Sequence, residues 1–168
     1  KREYDRLIEV FEAHNIGYFF YNGGGDSADT CLTVSQRAKA TGDPTQATHV
    51  PTTVDNDLPN TDTGPGFGSV AKSIAVSTRE ASFDVASMCA TSTQIFVLEV
   101  MGRHAGWIAA AGGMAATEDC DLPIVILFPE VKFSQGKFLN LVKEKVAQYG
   151  YCSIVVSDGV QDRSGNFL

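Results

Sequence analysis

The strongest constraint on how this chain can fold is the alternation of two hydrophobic periods along it. Short apolar runs at residues 17–21, 47–50, 94–100, 123–128 and 152–157 are separated by stretches in which apolar residues recur every three or four positions. A run that is apolar at successive positions predicts a strand buried on both faces, and the longer period predicts a helix. Strands of this kind joined through helices form a parallel sheet covered on both faces. The expected class is therefore α/β, with alternating helices and parallel strands. In such sheets ligands bind beyond the carboxyl ends of the strands, which makes the loops that follow them the places to look for chemistry.

Tyr4, Leu7, Ile8 and Phe11 predict an amphipathic helix over 2–14, stopped by Asn15 and Gly17. A glycine turn at 23–25 leads into a helix running to about 40, with Asp26 or Ser27 as its cap. Helices are also expected over 69–88, from 106 to 116, and over 135–149, where Phe138, Leu141, Val142 and Val146 mark one face. Residues 51–65 carry three prolines and cannot be regular structure. This longest irregular stretch predicts a boundary near 65–67. Lys72 and Arg79, seven apart in a helix, predict one solvated face.

With 43% hydrophobic and 20% charged residues the chain can build an ordinary core. No apolar run approaches the ~18–20 residues that span a bilayer. A net charge of −7 argues against nucleic acid or an anionic membrane as partner. The four cysteines lie far apart without a CxxC pair, which predicts reduced thiols and a cytoplasmic protein. The absence of an initiator Met, and ends that fall within patterned segments, predict a portion of a longer chain.

Three polar loops follow strands. The first, Asn22-Gly23-Gly24-Gly25-Asp26-Ser27, offers close backbone approach to phosphate oxygens and a helix start that favours anions. A plain strand-to-helix turn explains it about as well, and no Gly-Lys-Ser/Thr follows to make it a P-loop. The second holds Thr52-Thr53-Val54-Asp55-Asn56-Asp57 between prolines. Carboxylates two apart in a stiff loop suit a general base and a metal contact; a solvated Asx-turn loop is the competing reading. The third, Met101-Gly102-Arg103-His104-Ala105-Gly106, presents an Arg fork that matches phosphate geometry. Alternatively, Arg103 pairs with Glu99 or a carbonyl, and His104 serves as a structural histidine.

The order and spacing of these loops, with Pro65-Gly66-Phe67-Gly68-Ser69 between the second and third and Glu99 to Trp107 around the last, resembles the phosphofructokinase family. The resemblance covers nearly all of the chain and is strongest to the bacterial pyrophosphate-dependent branch. It implies two Rossmann-like lobes of which this chain holds part: residues 1–65 as the end of the phosphoryl-donor lobe and 66–168 as most of the sugar-phosphate lobe. It implies Asp55 as the base for the sugar's 1-hydroxyl, Asp57 as its support, and Thr53 and Val54 beside them. Met101, Gly102, Arg103 and Asp158 would hold fructose 6-phosphate. Gly23, Gly24, Asp26, Ser27 and Thr52 would meet the donor. The family further implies Mg²⁺, a homo-oligomer and a place in sugar-phosphate metabolism.

Asp26 stands where the ATP-using branch has glycine, and a carboxylate there favours pyrophosphate. Four positions depart from the family pattern. Gly25 replaces a residue proposed to serve the metal, though Asp26 beside it can. Thr52 replaces a lysine, Gln94 a basic residue that reaches a neighbouring subunit's substrate, and Asp158 a glutamate. Three functions remain open on these grounds: pyrophosphate-dependent phosphotransferase, ATP-dependent 6-phosphofructokinase, and a non-catalytic sugar-phosphate-binding homologue.

Overall fold

The residue pattern resolves into ten elements of helix and strand in alternation, in a computed structural model that describes residues 2–168. Lys1, at which the first expected lobe begins, lies outside the described residues. In chain order these are α1 (Arg2–Ala13), β1 (Tyr18–Gly23), α2 (Gly25–Thr41), β2 (Gln46–Pro51), α3 (Phe67–Met88), β3 (Ile95–Val100), α4 (Trp107–Ala111), β4 (Ile124–Leu127), α5 (Gln135–Tyr149) and β5 (Cys152–Ser157). Every strand pairing is parallel. Residues up to Thr53 with Asp57–Pro65 form one compact unit, and Val54–Asn56 with Gly66–Leu168 form another.

In the first unit β1 pairs with β2, Tyr18 opposite Gln46 through Gly23 opposite Pro51. Ile8, Phe11, Val34 and Ala38 from α1 and α2 form its core, and Phe19 and Ala47 pack on them from the sheet. α1 ends because Asn15 turns left-handed (φ 53°). Ile16 N–H then bonds Phe11 C=O at 2.9 Å and Asn15 N–H bonds Glu12 C=O at 3.0 Å, a Schellman closure.

In the second unit the order is β3-β5-β4. Val100 and Val155 on one face of the sheet meet Ile108 and Ala109 of α4 and Val70 and Ile74 of α3. Val125, Cys152 and Ile154 on the other face meet Val142, Phe138 and Val146 of α5. Ser82 of α3 bonds Ser153 of β5 at 2.7 Å, so the two polar groups buried between helix and strand satisfy each other.

Burial corrects the expectation of a sheet covered on both faces. Only central β5 is buried nearly throughout; β1, β2 and most of β3 alternate exposed and half-buried positions. Tyr18 (69% exposed) and Phe20 (67%) stand on the face of β1 opposite to that of Phe19 and Tyr21, while Ile95 and Val97 are exposed on β3. The reason is edge position: α5 packs under β4 and β5 and leaves that face of β3 open.

The helix expected from 106 to 116 is also corrected. α4 has five residues and passes into a 3-10 turn over Gly112–Ala115. A Cβ on Gly112 would come within 2.7 Å of Val155 Cγ2, so the chain there runs too close to β5 for any side chain. Lys72 is exposed, but Arg79 is not its solvated partner: its Nη2 donates to Thr117 Oγ1 at 3.1 Å and its Nε is buried. The four cysteines are free thiols, Cys31 and Cys152 buried. No helix among the described residues is long and apolar enough to cross a membrane.

Candidate active site

In the first unit the parallel pairing brings the carboxyl ends of β1 and β2 side by side. The Gly23 carbonyl accepts a bond from Thr52 N–H at 3.0 Å. His49 Nε2 lies 2.9 Å from the same oxygen. A carbonyl only accepts, so Nε2 carries the proton and the ring donates. A Cβ on Gly23 would collide with the Ser27 side chain, and one on Gly24 would stand 3.4 Å from Thr53 Cβ. These two glycines therefore let the loop close against the helix start and against Thr53. Nothing lies within 4 Å of where a Cβ on Gly25 would be, so packing does not require glycine there.

Gly24 is the N-cap of α2, and no side chain caps it. This corrects the capping role expected of Asp26 or Ser27. The helix begins at Gly25, so both side chains fall inside its first turn instead of before it. Asp26 is exposed there, where a negative charge is favoured by the helix dipole. A helix start of this kind favours an anion through its N–H groups and dipole.

In the second unit Val54 packs into the core formed by Val100, Ile108, Ala109 and Val155, together with Phe67, Val70 and Ile74. A Cβ on Gly66, the left-handed N-cap of α3 (φ 91°), would touch Val54 Cγ1 at 3.0 Å. Asp55 is thus carried beside the start of α3 and the end of β3, with its Oδ1 withdrawn from solvent. Asn56 sits in the left-handed region (φ 54°), which turns the chain sharply after Asp55. Asp57 is half-buried and belongs with the first unit.

The third loop leaves the carboxyl end of β3 and is held at three points. Gly102 has φ 133°, and a Cβ there would meet the Ala105 carbonyl at 2.5 Å. Its own carbonyl accepts the Ser157 hydroxyl at 2.7 Å. Gly106 N–H donates to Glu130 Oε1, beyond β4, at 2.8 Å. Asp158 N–H extends the ladder to Val100 C=O at 2.9 Å, placing Asp158 directly past the neighbouring strand end. Both Arg103 and Asp158 are exposed, and among the described residues no ion pair joins Arg103 to Glu99. His104 is exposed beside them.

The second unit therefore gathers Val54, Asp55, Met101, Gly102, Arg103 and Asp158 at one end of its sheet. Gln94 does not join them. Its carbonyl accepts Cys152 N–H at 2.9 Å, at the amino end of both strands. A six-residue strand puts that end roughly 20 Å from Gly102.

His49, Ser157 and Glu130 were missed by sequence reasoning. A His or Ser inside a strand run and a Glu after one carry no spacing signal; only the fold shows what they bond. Among the described residues no three His, Cys, Asp or Glu side chains converge on one point. A Mg²⁺ ion does not need such a cluster; one or two carboxylates can hold it while other oxygen ligands complete its shell.

A family model described as Phosphofructokinase matches residues 1–168. The chain is 68% identical over all of its length to the pyrophosphate–fructose 6-phosphate 1-phosphotransferase of Methylococcus capsulatus, covering 40% of that protein. It is 62% identical over its full length to the protein of the same name from Halomonas elongata, again covering 40%. The crystal structure of the pyrophosphate-dependent phosphofructokinase from Nitrosospira multiformis superposes with a TM-score of 0.87 at 70% identity, over 98% of this chain and 42% of that one. The chain spans about two fifths of the length of these relatives.

Proposed function

The chain belongs to the phosphofructokinase family, and from that premise we propose that the whole protein moves a phosphoryl group from pyrophosphate to the 1-hydroxyl of fructose 6-phosphate. The observation that carries this reading is the seating of Val54 in the core beside Val100, which brings Asp55 to the sheet end that also bears Arg103 and Asp158. A carboxylate, a guanidinium and a second carboxylate on three adjacent segments suit a phosphorylated polyol: base, phosphate fork and hydroxyl acceptor. The names and identities of the relatives support the same substrates.

Asp55 takes the proton from the 1-hydroxyl as its oxygen attacks the terminal phosphorus of pyrophosphate, and inorganic phosphate leaves. Asp57 supports Asp55 through the stiff loop the two share. Arg103 holds the 6-phosphate, with the Met101 and Gly102 backbone lining the site, and Asp158 bonds a sugar hydroxyl. Thr53 and Val54 close the sugar side. On the donor side Gly23 and Gly24 allow close approach of the backbone to phosphate, and the uncapped start of α2 meets the anion beside Ser27 and Thr52. Mg²⁺ neutralises phosphate charge when bound; Asp26 is the carboxylate of this loop that can reach it, since Gly25 has no side-chain ligand. Apart from the Val54–Asn56 segment, which joins the second unit, residues 1–65 act as the donor lobe and 66–168 as the sugar-phosphate lobe, in a cytoplasmic homo-oligomer.

Asp26 also sets the donor. Pyrophosphate ends before this carboxylate, whereas the longer chain of ATP runs into its charge, an exclusion by repulsion. The full-length protein, assayed for fructose 1,6-bisphosphate formation with each donor in turn, should turn over with pyrophosphate and at least about tenfold less well with ATP. Turnover with ATP alone contradicts the donor assignment. Turnover with neither identifies a binding homologue.

A further inference from the structure

We propose that Ser157 is a positioning residue that ties the two loops of the sugar-phosphate site into one register, so that acceptor binding depends on its hydroxyl. The inference rests on the reading of Arg103 and Asp158 given above and adds a residue to it. Ser157 ends β5 and is 2% exposed. Its Oγ donates to the Gly102 carbonyl at 2.7 Å and accepts Gly159 N–H at 3.2 Å. One hydroxyl thereby uses its donor on the loop that carries Met101 and Arg103, and its acceptor on the loop that carries Asp158. Neither bond belongs to the β-ladder, which reaches its last rung where Asp158 N–H meets Val100 C=O.

The two loops also touch directly. A Cβ on Gly159 would collide with the Arg103 backbone, so the second loop runs flat against the first. Close packing of two backbones keeps them near, but beyond the last ladder rung it does not fix how far one slides along the other. The hydroxyl does, because it must satisfy a carbonyl and an N–H at once. Arg103 and Asp158 project from the segments so joined, and both are exposed. Their spacing is the dimension that a ligand spanning phosphate and hydroxyl contacts would read. Without the hydroxyl a buried carbonyl and a buried N–H lose a partner, and the loops shift to recover one.

The test is steady-state kinetics of the full-length protein bearing Ser157→Ala, Ser157→Val or Ser157→Thr, with Arg103→Ala as control. Thr keeps the hydroxyl and Val has nearly its volume without one, so the pair separates hydrogen bonding from size. Val and Ala should raise KM for fructose 6-phosphate by about threefold to tenfold, the worth of one neutral hydrogen bond. KM for pyrophosphate should stay within about twofold in the same variants, because the donor contacts lie on other segments. Thr should lie close to the parent. Should Ala and Val yield no folded protein, Ser157→Cys, a weak donor, is read by the same split between the two KM values. Equal effects of Thr and Val overturn the proposal, as does a parallel rise in both KM values. If Arg103→Ala leaves fructose 6-phosphate KM unchanged, the site assignment fails first and the role of Ser157 with it. If Arg103→Ala raises that KM and Ser157→Val does not, only Ser157 is wrongly placed.

Discussion

On the proposed reading the side chains at positions 26 and 52 set how much charge meets the donor, and both can be exchanged without disturbing the fold. Asp26 is exposed in the first turn of α2, and Thr52 reaches the Gly23 carbonyl through its backbone N–H, leaving its side chain replaceable. Thr52→Lys supplies a cation where phosphoryl charge develops. It should raise pyrophosphate-dependent kcat with little change in fructose 6-phosphate KM, as initial rates against each substrate will show. Asp26→Gly removes the repulsion and should lower KM for ATP. Gly102 is the opposite case, since it cannot be exchanged freely. With φ at 133° and the Ala105 carbonyl in the way, Gly102→Ala should destabilise by about 1–3 kcal/mol, measured by denaturant midpoint, and should weaken fructose 6-phosphate more than pyrophosphate. Of these residues, the sequence pattern marks Arg103 and the Asp55 loop only through the order and spacing of the three loops, since each loop alone reads as well as a structural turn. It does not mark Ser157 or His49, whose roles arise from bonds across 55 and 26 residues of chain.

At the scale of elements, helix ends and strand faces show where local pattern stops deciding. The stop of α1 is legible because Asn15 is among the few residues that enter the left-handed region easily. The start of α2 is not, since Gly24 serves as N-cap while better cap formers follow it. The apolar runs located every strand, yet they could not distinguish a central strand from an edge strand: β5 is buried and β3 is half open because of sheet order, which is long-range information. The break in α4 likewise depends on Val155. Gly112→Ala should therefore cost about 1–3 kcal/mol by overpacking, despite alanine's better helix propensity. A rise in melting temperature for this variant contradicts the account of the break. The beginning of β5 adds a pH dependence. Burial raises the Cys152 thiol above its ordinary value of 9.0. The unfolded chain therefore ionises first as pH rises, and the stability present below about pH 9 declines above it. Cys152→Ala should flatten that decline in urea melts at pH 8 to 10; an unchanged slope assigns it to other groups, Tyr151 first, whose hydroxyl burial also raises.

Over the whole molecule, chain direction does most of the organising. Parallel strands put every strand-following loop of a sheet at the same end, so residues 22–27 and Thr52 share one end in the first unit, and residues 101–106 and Asp158 share one in the second. That much is legible from the alternation of apolar strands and helices, which implies parallel strands. What the pattern could not supply is the membership of the Asp55 segment: three residues, Val54–Asn56, leave the first unit and join the second because Val54 finds its core there. The catalytic assignment depends on this exchange, since it sets Asp55 beside the end of β3. The most direct test is kcat and KM of full-length Asp55→Asn with pyrophosphate as donor. An amide keeps the shape and cannot take the hydroxyl proton, so kcat should fall by about 10²–10⁴-fold while fructose 6-phosphate KM changes little. An unchanged kcat, or a loss expressed only in KM, would show that Asp55 is not the base.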